Sequence, residues 1–231
     1  MSPFDVKAVF REELDKAVAE EVRKSGFPVR DWFWSGPRDP QASLDLLADE
    51  TGPEMVTNFI DWYEHNPDIE TWVTPDGVPA IELPIEVNFG SVPVRMILDW
   101  VVQIGTALVV VDWKTSAKLP ANYRQLGIYA SGLELAHGIR PRYGAYFMNR
   151  GIGSKTKPKV FFQRPVELGK PQYSVPYLTG EFEALERGIQ AGVFPAKPGD
   201  NCGRCGVAWA CTEVNGAKAR ELDPHWPAGA R

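Results

Sequence analysis

The order in which helical and strand-like patterns follow one another predicts an α/β fold, a central mixed β-sheet flanked by helices, with a cysteine-bearing loop region at the C-terminal end. Hydrophobic residues recur at helical spacing in the first eighty residues, and from Ala80 the period drops to two. After that change, single helical stretches alternate with short strand-like ones. Helices, strands, helix, strands, helix is the order of a mixed sheet sandwiched by helices.

Residues 4–24 carry a stripe of Phe10, Leu14, Val18 and Val22, and Gly26 ends the helix they predict. Residues 43–50 and 53–64 read as two short helices, the second closed by Asn66-Pro67. Residues 81–87, 92–102 and 107–113 alternate as strands. Pro120 suits the start of a helix over 120–137, closed by Gly138. Residues 143–148 and 160–163 predict two more strands around a glycine- and lysine-rich loop. Thr179 is placed to cap a last helix over 180–190. The expected organisation is a main domain over 1–195, with a helical segment over 1–79 and a core over 80–195, followed by a cysteine-containing extension over 196–231.

Composition narrows the class. With 44% hydrophobic and 24% charged residues the chain has the makeup of a globular domain rather than a disordered one. Its strongest apolar run, residues 107–111, is strand length, which argues against a membrane span, and the N-terminus lacks the pattern of a secretory signal. The three cysteines all fall between Cys202 and Cys211, too few and too close for a disulfide framework; they read as metal ligands kept reduced in a cytoplasm. A net charge of −5 argues against a general polyanion binder. Residues 140–170, however, hold eight basic residues against one acid, Glu167, which suits local contact with phosphates.

The chemistry concentrates in one hairpin. If Gly105-Thr106 is a two-residue turn with glycine first, Asp99 falls directly opposite Asp112, and Lys114 lies two residues further along on the same face. Leu98, Trp100, Val109, Val111 and Trp113 then occupy the other face. Two opposed carboxylates in an apolar sheet repel each other unless a cation compensates. A hard divalent ion bound through oxygens, Mg²⁺ or Mn²⁺, meets that need and polarises a phosphodiester, with Lys114 orienting water or offsetting charge. Glu82 and Glu86 are candidates for a third carboxylate. Gln125 and Tyr129, four apart on the next helix, project together.

Asp99, then Asp112-Trp113-Lys114-Thr115, then Gln125-x-x-x-Tyr129 and the late cysteines resemble the RecB-like branch of the PD-(D/E)xK nuclease superfamily, which includes CRISPR-associated RecB-like exonucleases and phage exonucleases. The resemblance spans residues 81–211 and implies a restriction-endonuclease-like core and a Mg²⁺- or Mn²⁺-dependent exonuclease acting on single-stranded DNA or duplex ends. A role in phage-type or bacterial recombination or repair, with a recombination partner protein and a host-cytoplasmic location, goes with it. It makes Asp99 and Asp112 metal ligands, Lys114 the catalytic lysine, and Gln125 and Tyr129 the residues that complete the site. Such nucleases usually carry a histidine in a helix before the strands. Here Gly52-Pro53-Glu54 stands in that place, so Glu54, or His65 at the far end of the helix, would substitute. Cys202, Cys205 and Cys211 match the later three ligands of the family's iron-sulfur cluster, while the usual upstream cysteine is absent; zinc is the alternative occupant. Two other functions share the core: a catalytically decayed DNA-binding scaffold and a related endonuclease.

Overall fold

The computed structural model describes residues 5–32, 39–116, 118–152, 159–193 and Cys211. Helix α1 (Val6–Ser25) is capped by the Asp5 carboxylate on the Ala8 amide and ends at Gly26 in the left-handed conformation, as its sequence requires. None of its residues is fully buried. It is anchored where the Phe10 ring sits against Gly52 in the space a Cβ would fill. Helices α2 (Pro40–Leu46) and α3 (Gly52–Glu64) are joined without a break by one π-helical turn, Leu47–Thr51. The two short helices expected from the sequence therefore form one continuous, distorted segment.

Among the described residues seven strands form one sheet: β1 (Ile69–Thr71), β2 (Ile81–Phe89), β3 (Val92–Ile104), β4 (Ala107–Lys114), β5 (Tyr143–Ile152), β6 (Lys159–Phe162) and β7 (Val166–Glu167). β3 pairs with both β1 and β2, then the order runs β4, β5, β6, and β7 also pairs with β5. Only the β4–β5 pair is parallel, because helix α4 (Arg124–His137) carries the chain across between them. The α/β class expected from the sequence is thus the fold observed. Residues 1–79 are not purely helical, since β1 extends the sheet and α3 packs its Phe59 and Trp62 on the sheet's aromatic face.

Two hydrophobic layers sandwich the sheet. Under α4 lie Met96, Leu98, Val101, Val110, Leu126, Ala130, Leu133 and Tyr146. Under α3 lie Trp100, Val102, Val109, Val111 and Phe147, with Trp113 against them. Two helix starts differ from expectation. α4 begins at Arg124, where the Asn122 side chain accepts the Arg124 amide, rather than at Pro120. α5 (Val175–Gln190) begins five residues earlier than expected: Ser174 is the cap, with Pro176 in the first turn, and Thr179 lies inside the helix.

Candidate active site

The hairpin of β3 and β4 sets the site. Its turn is Gly105-Thr106 as expected, with Gly105 at φ 59 and the pairs Ile104–Ala107 and Trp100–Val111 in register. Asp99 and Asp112 stand one step beyond the last paired level. There the strands part, and the Asp99 carboxylate accepts the Trp113 backbone N–H at 2.8 Å in place of a ladder bond. At this end of the hairpin the two carboxylates are not joined by a β3–β4 ladder pair, although Asp112 stays paired with Tyr146 of β5.

Side-chain alternation in β3 breaks at the same point. Leu98 packs under α4 and Trp100 under α3, so the two do not share a face as the period of two implied. Opposite Asp99 stands Glu82, whose φ of 47 is the one left-handed value among described non-glycine residues. The β2–β3 pairs Ile81–Trp100 and Leu83–Leu98 flank this level, but Glu82 and Asp99 are not themselves paired. A non-glycine residue held there carries backbone strain of about 1–3 kcal/mol, the kind that accumulates at functional sites.

Lys114 reaches back to the carboxylates. Its Nζ lies 2.6 Å from Asp112 Oδ2, 5.7 Å from the centre of the Tyr146 ring, and donates to Gln125 Oε1 at 3.0 Å. The Gln125 amide nitrogen donates in turn to the Tyr129 hydroxyl at 2.9 Å. Gln125 therefore holds the lysine with one end and the tyrosine with the other, which two residues four apart on one helix face can do together. Tyr146 sits beside Asp112 across the parallel β4–β5 pair and donates its hydroxyl to Asn122 O at 2.7 Å. Sequence reasoning did not single out Tyr146. The signal was available only once β5 was known to run parallel beside β4 in this register.

Burial dominates the electrostatics. Asp112 is 1% exposed, and burial lifts its carboxyl above the ordinary aspartate value; the Lys114 contact opposes that rise and the Asp99 charge adds to it. Burial likewise raises Tyr129, against the Gln125 hydrogen bond, with the charges of Asp99, Asp112 and Glu82 adding to the rise. Tyr146 is pushed up to about 12, by burial first and the Asp112 charge second. Despite the ion contact, Asp112 Oδ2 has no well-aligned hydrogen bond. A buried anionic oxygen without a directed partner, beside a second carboxylate, fits a hard cation. An ion such as Mg²⁺ is commonly held by one or two carboxylates while waters and phosphate oxygens complete its shell.

The other expected ligands are not brought in. Among the described residues no three His, Cys, Asp or Glu side chains converge. Glu86 is exposed and pairs with Arg95 at 3.5 Å, four residues along β2 from the level of Asp99, or about 13 Å at strand rise. Glu54 is exposed in the first turn of α3, on a helix packed against the sheet face opposite Asp112 and Lys114. His65 caps the C-terminal end of that helix, its ring nitrogen 2.6 Å from Asp61 O. Cys202 and Cys205 lie outside the described residues; Cys211 is a half-buried free thiol. In the basic segment, Arg140 is held by Glu134, Ser131 and the Tyr173 carbonyl, whereas Arg142 makes only a solvent-exposed pair with Glu167.

The hairpin carboxylates, the lysine and the helical Gln-Tyr pair form one connected cluster, and comparison with known proteins gives the family. The model of the PD-(D/E)XK nuclease superfamily matches residues 5–212, and the chain belongs to that superfamily. The Gene 69 protein of Mycobacterium phage D29 is 37% identical over 182 residues, covering 78% of this chain and 64% of its own length. The Gene 69 protein of Mycobacterium phage L5 is 31% identical, covering 91% of this chain and 77% of its own. The chain thus spans somewhat under two thirds of the D29 protein. A solved structure, the crystal structure of SSO0001, overlaps 75% of this chain and 76% of its own with a TM-score of 0.40 at 14% identity.

Proposed function

We propose that the chain is a Mg²⁺- or Mn²⁺-dependent deoxyribonuclease of the RecB-like branch, acting as an exonuclease in phage-type recombination or repair within the host cytoplasm. The observation that carries this reading is the Asp99–Asp112–Lys114–Gln125 constellation at the opened end of the β3–β4 hairpin. Asp99 and Asp112 would hold the ion, which supplies Lewis-acid stabilisation of the phosphoryl group and acidifies the attacking water. Lys114, steered by Gln125, directs its ammonium at the same point and offsets charge developing on the phosphate oxygens. The burial that raises Asp112 also lowers the local dielectric, so each of these charges acts more strongly than it would in water. Cys202, Cys205 and Cys211 are read as ligands of an iron-sulfur cluster or of zinc, a structural role apart from the nuclease centre.

Asp99→Ala, Asp112→Ala and Lys114→Ala should each reduce cleavage of end-labelled linear DNA by about 10³-fold or more, with circular dichroism unchanged. The two aspartate variants should also lose Mn²⁺ binding by calorimetry, whereas Lys114→Ala should keep it. Ca²⁺ should substitute poorly. Full activity of Lys114→Ala removes the assignment, and equal attack on closed circular DNA replaces the exonuclease reading with an endonuclease one.

A further inference from the structure

Next to the centre, a cleft of about 760 Å³ opens between β3 and the first turns of α4. Gln125 and Tyr129 line it, so it adjoins the proposed centre, and Arg95, Ile97, Arg124 and Ile128 are among its other lining residues. Each arginine is held by a carboxylate. Arg95 meets Glu86 at 3.5 Å in a pair that is mostly solvent-exposed and therefore weak. Arg124 donates one hydrogen bond to Glu181 Oε1 of α5 at 2.9 Å and makes an ion contact with Oε2 at 2.8 Å, an oxygen with no aligned hydrogen bond; a guanidinium so placed can pair with a phosphate instead. The same lining offers aliphatic surface: Ile97 is 45% exposed although it lies in a strand, and Ile128 is half-buried.

We propose that this cleft carries one nucleic-acid strand into the centre as a single strand, with Arg95 and Arg124 on its phosphates, Ile97 and Ile128 against its bases, and Glu181 as a resident counter-charge that phosphate displaces. The proposal rests on the nuclease reading of the centre and adds its substrate class. Two cations beside an exposed aliphatic surface match a flexible strand whose bases are unstacked and whose backbone is anionic. A duplex keeps its bases stacked inside and could not reach the isoleucines.

The pairing of Arg124 with Glu181 makes the test directional. Arg124→Gln and Glu181→Gln remove the same ion pair, so a purely structural role predicts that both weaken binding alike. On this proposal they act in opposite senses. Binding of a short fluorescein-labelled oligothymidylate, measured by anisotropy in EDTA at low salt, should weaken about tenfold for Arg124→Gln and for Arg95→Gln. It should tighten severalfold for Glu181→Gln, and an equivalent blunt duplex should respond little to any of the three. Melting curves of the two Arg124–Glu181 variants serve as a control for the shared loss of the pair. Weakening by Glu181→Gln in step with Arg124→Gln overturns the proposal, as does an equal effect on duplex. Cleavage in Mg²⁺ is scored separately. A wild type that cuts DNA while all three variants bind normally sinks the strand track and leaves the nuclease; the described binding pattern with no cleavage does the reverse.

Discussion

Val111 and Trp113 point from β4 into the aromatic layer under α3, while Asp112 and Lys114, one residue out of phase, point at α4. On the first face Phe59 meets Trp113 at 5.3 Å and Trp100 at 5.8 Å, and Trp62 meets Phe147 at 4.7 Å, mostly edge to face. Such contacts add about 0.5–1.5 kcal/mol each to ordinary burial. On the second face a buried carboxylate faces another and is offset by one lysine. One strand thus holds, on alternate residues, a source of stability and a site that stability would not select. The aromatic layer lets the polar face exist, because a hairpin pinned on one side can tolerate repulsion on the other.

Substitutions on the two faces should therefore separate stability from activity. Trp100→Ala should cost about 3–5 kcal/mol by denaturant unfolding, while the rate per folded molecule falls less than about tenfold. Asp112→Asn should do the opposite: cleavage is lost, and the metal-free protein melts at the same temperature as wild type or higher. A large loss of stability in Asp112→Asn would mean that the carboxylate is structural and that the division between the faces is false.

The pH dependence sharpens the same contrast. Because burial raises the Asp112 pKa in the folded chain, the unfolded chain accommodates its charge better. The group therefore destabilises the metal-free fold at neutral pH, and this penalty fades as the pH falls through the raised folded value towards about 3.9, the ordinary aspartate value. Metal-free wild type should accordingly melt below Asp112→Asn at pH 7, with the gap closing on acidification. Addition of Mn²⁺ at pH 7 should raise the wild-type melting temperature and leave that of Asp112→Asn nearly unmoved. A gap that widens in acid would contradict the cause assigned to the shift.

The two faces were unequally legible in the sequence. The hairpin could be read because a two-residue turn with glycine first admits few registers, and a period of two then assigns Asp112, Lys114 and Trp113 to their sides. The break at Asp99 could not, since no local pattern marks the unpaired level it shares with the left-handed Glu82. Leu98 was misplaced for that reason. β1 and β7, of three and two residues, are too short to show a period, and β1 is why the helical segment joins the sheet. Glu86 had the right chemistry and the right strand, but only the β2–β3 pairing reveals that it meets Arg95 instead of the carboxylate pair. The Lys114–Gln125–Tyr129 chain was half legible: helical spacing stacked Gln125 on Tyr129, and the fold added the lysine.

The smallest expected effect concerns that chain. Gln125→Met keeps the volume and helix propensity of the side chain but removes the acceptor for Lys114 and the donor to Tyr129. Both partners retain other contacts or partial solvent access, so the stability change should be about 1 kcal/mol. The ammonium keeps Asp112 at 2.6 Å and its place over Tyr146. What it loses is direction, because a single ion contact fixes distance better than angle. Misorientation of a group that acts in the transition state should lower the cleavage rate about 10–100-fold, while Mn²⁺ affinity, set by Asp99 and Asp112, stays within about twofold. Gln125→Glu separates the two bonds, since it restores the acceptor for Lys114 without the donor to Tyr129; recovery of most of the rate would assign the role to the lysine bond. If Gln125→Met lowered Mn²⁺ affinity as much as rate, Gln125 would be shaping the carboxylates rather than aiming the lysine.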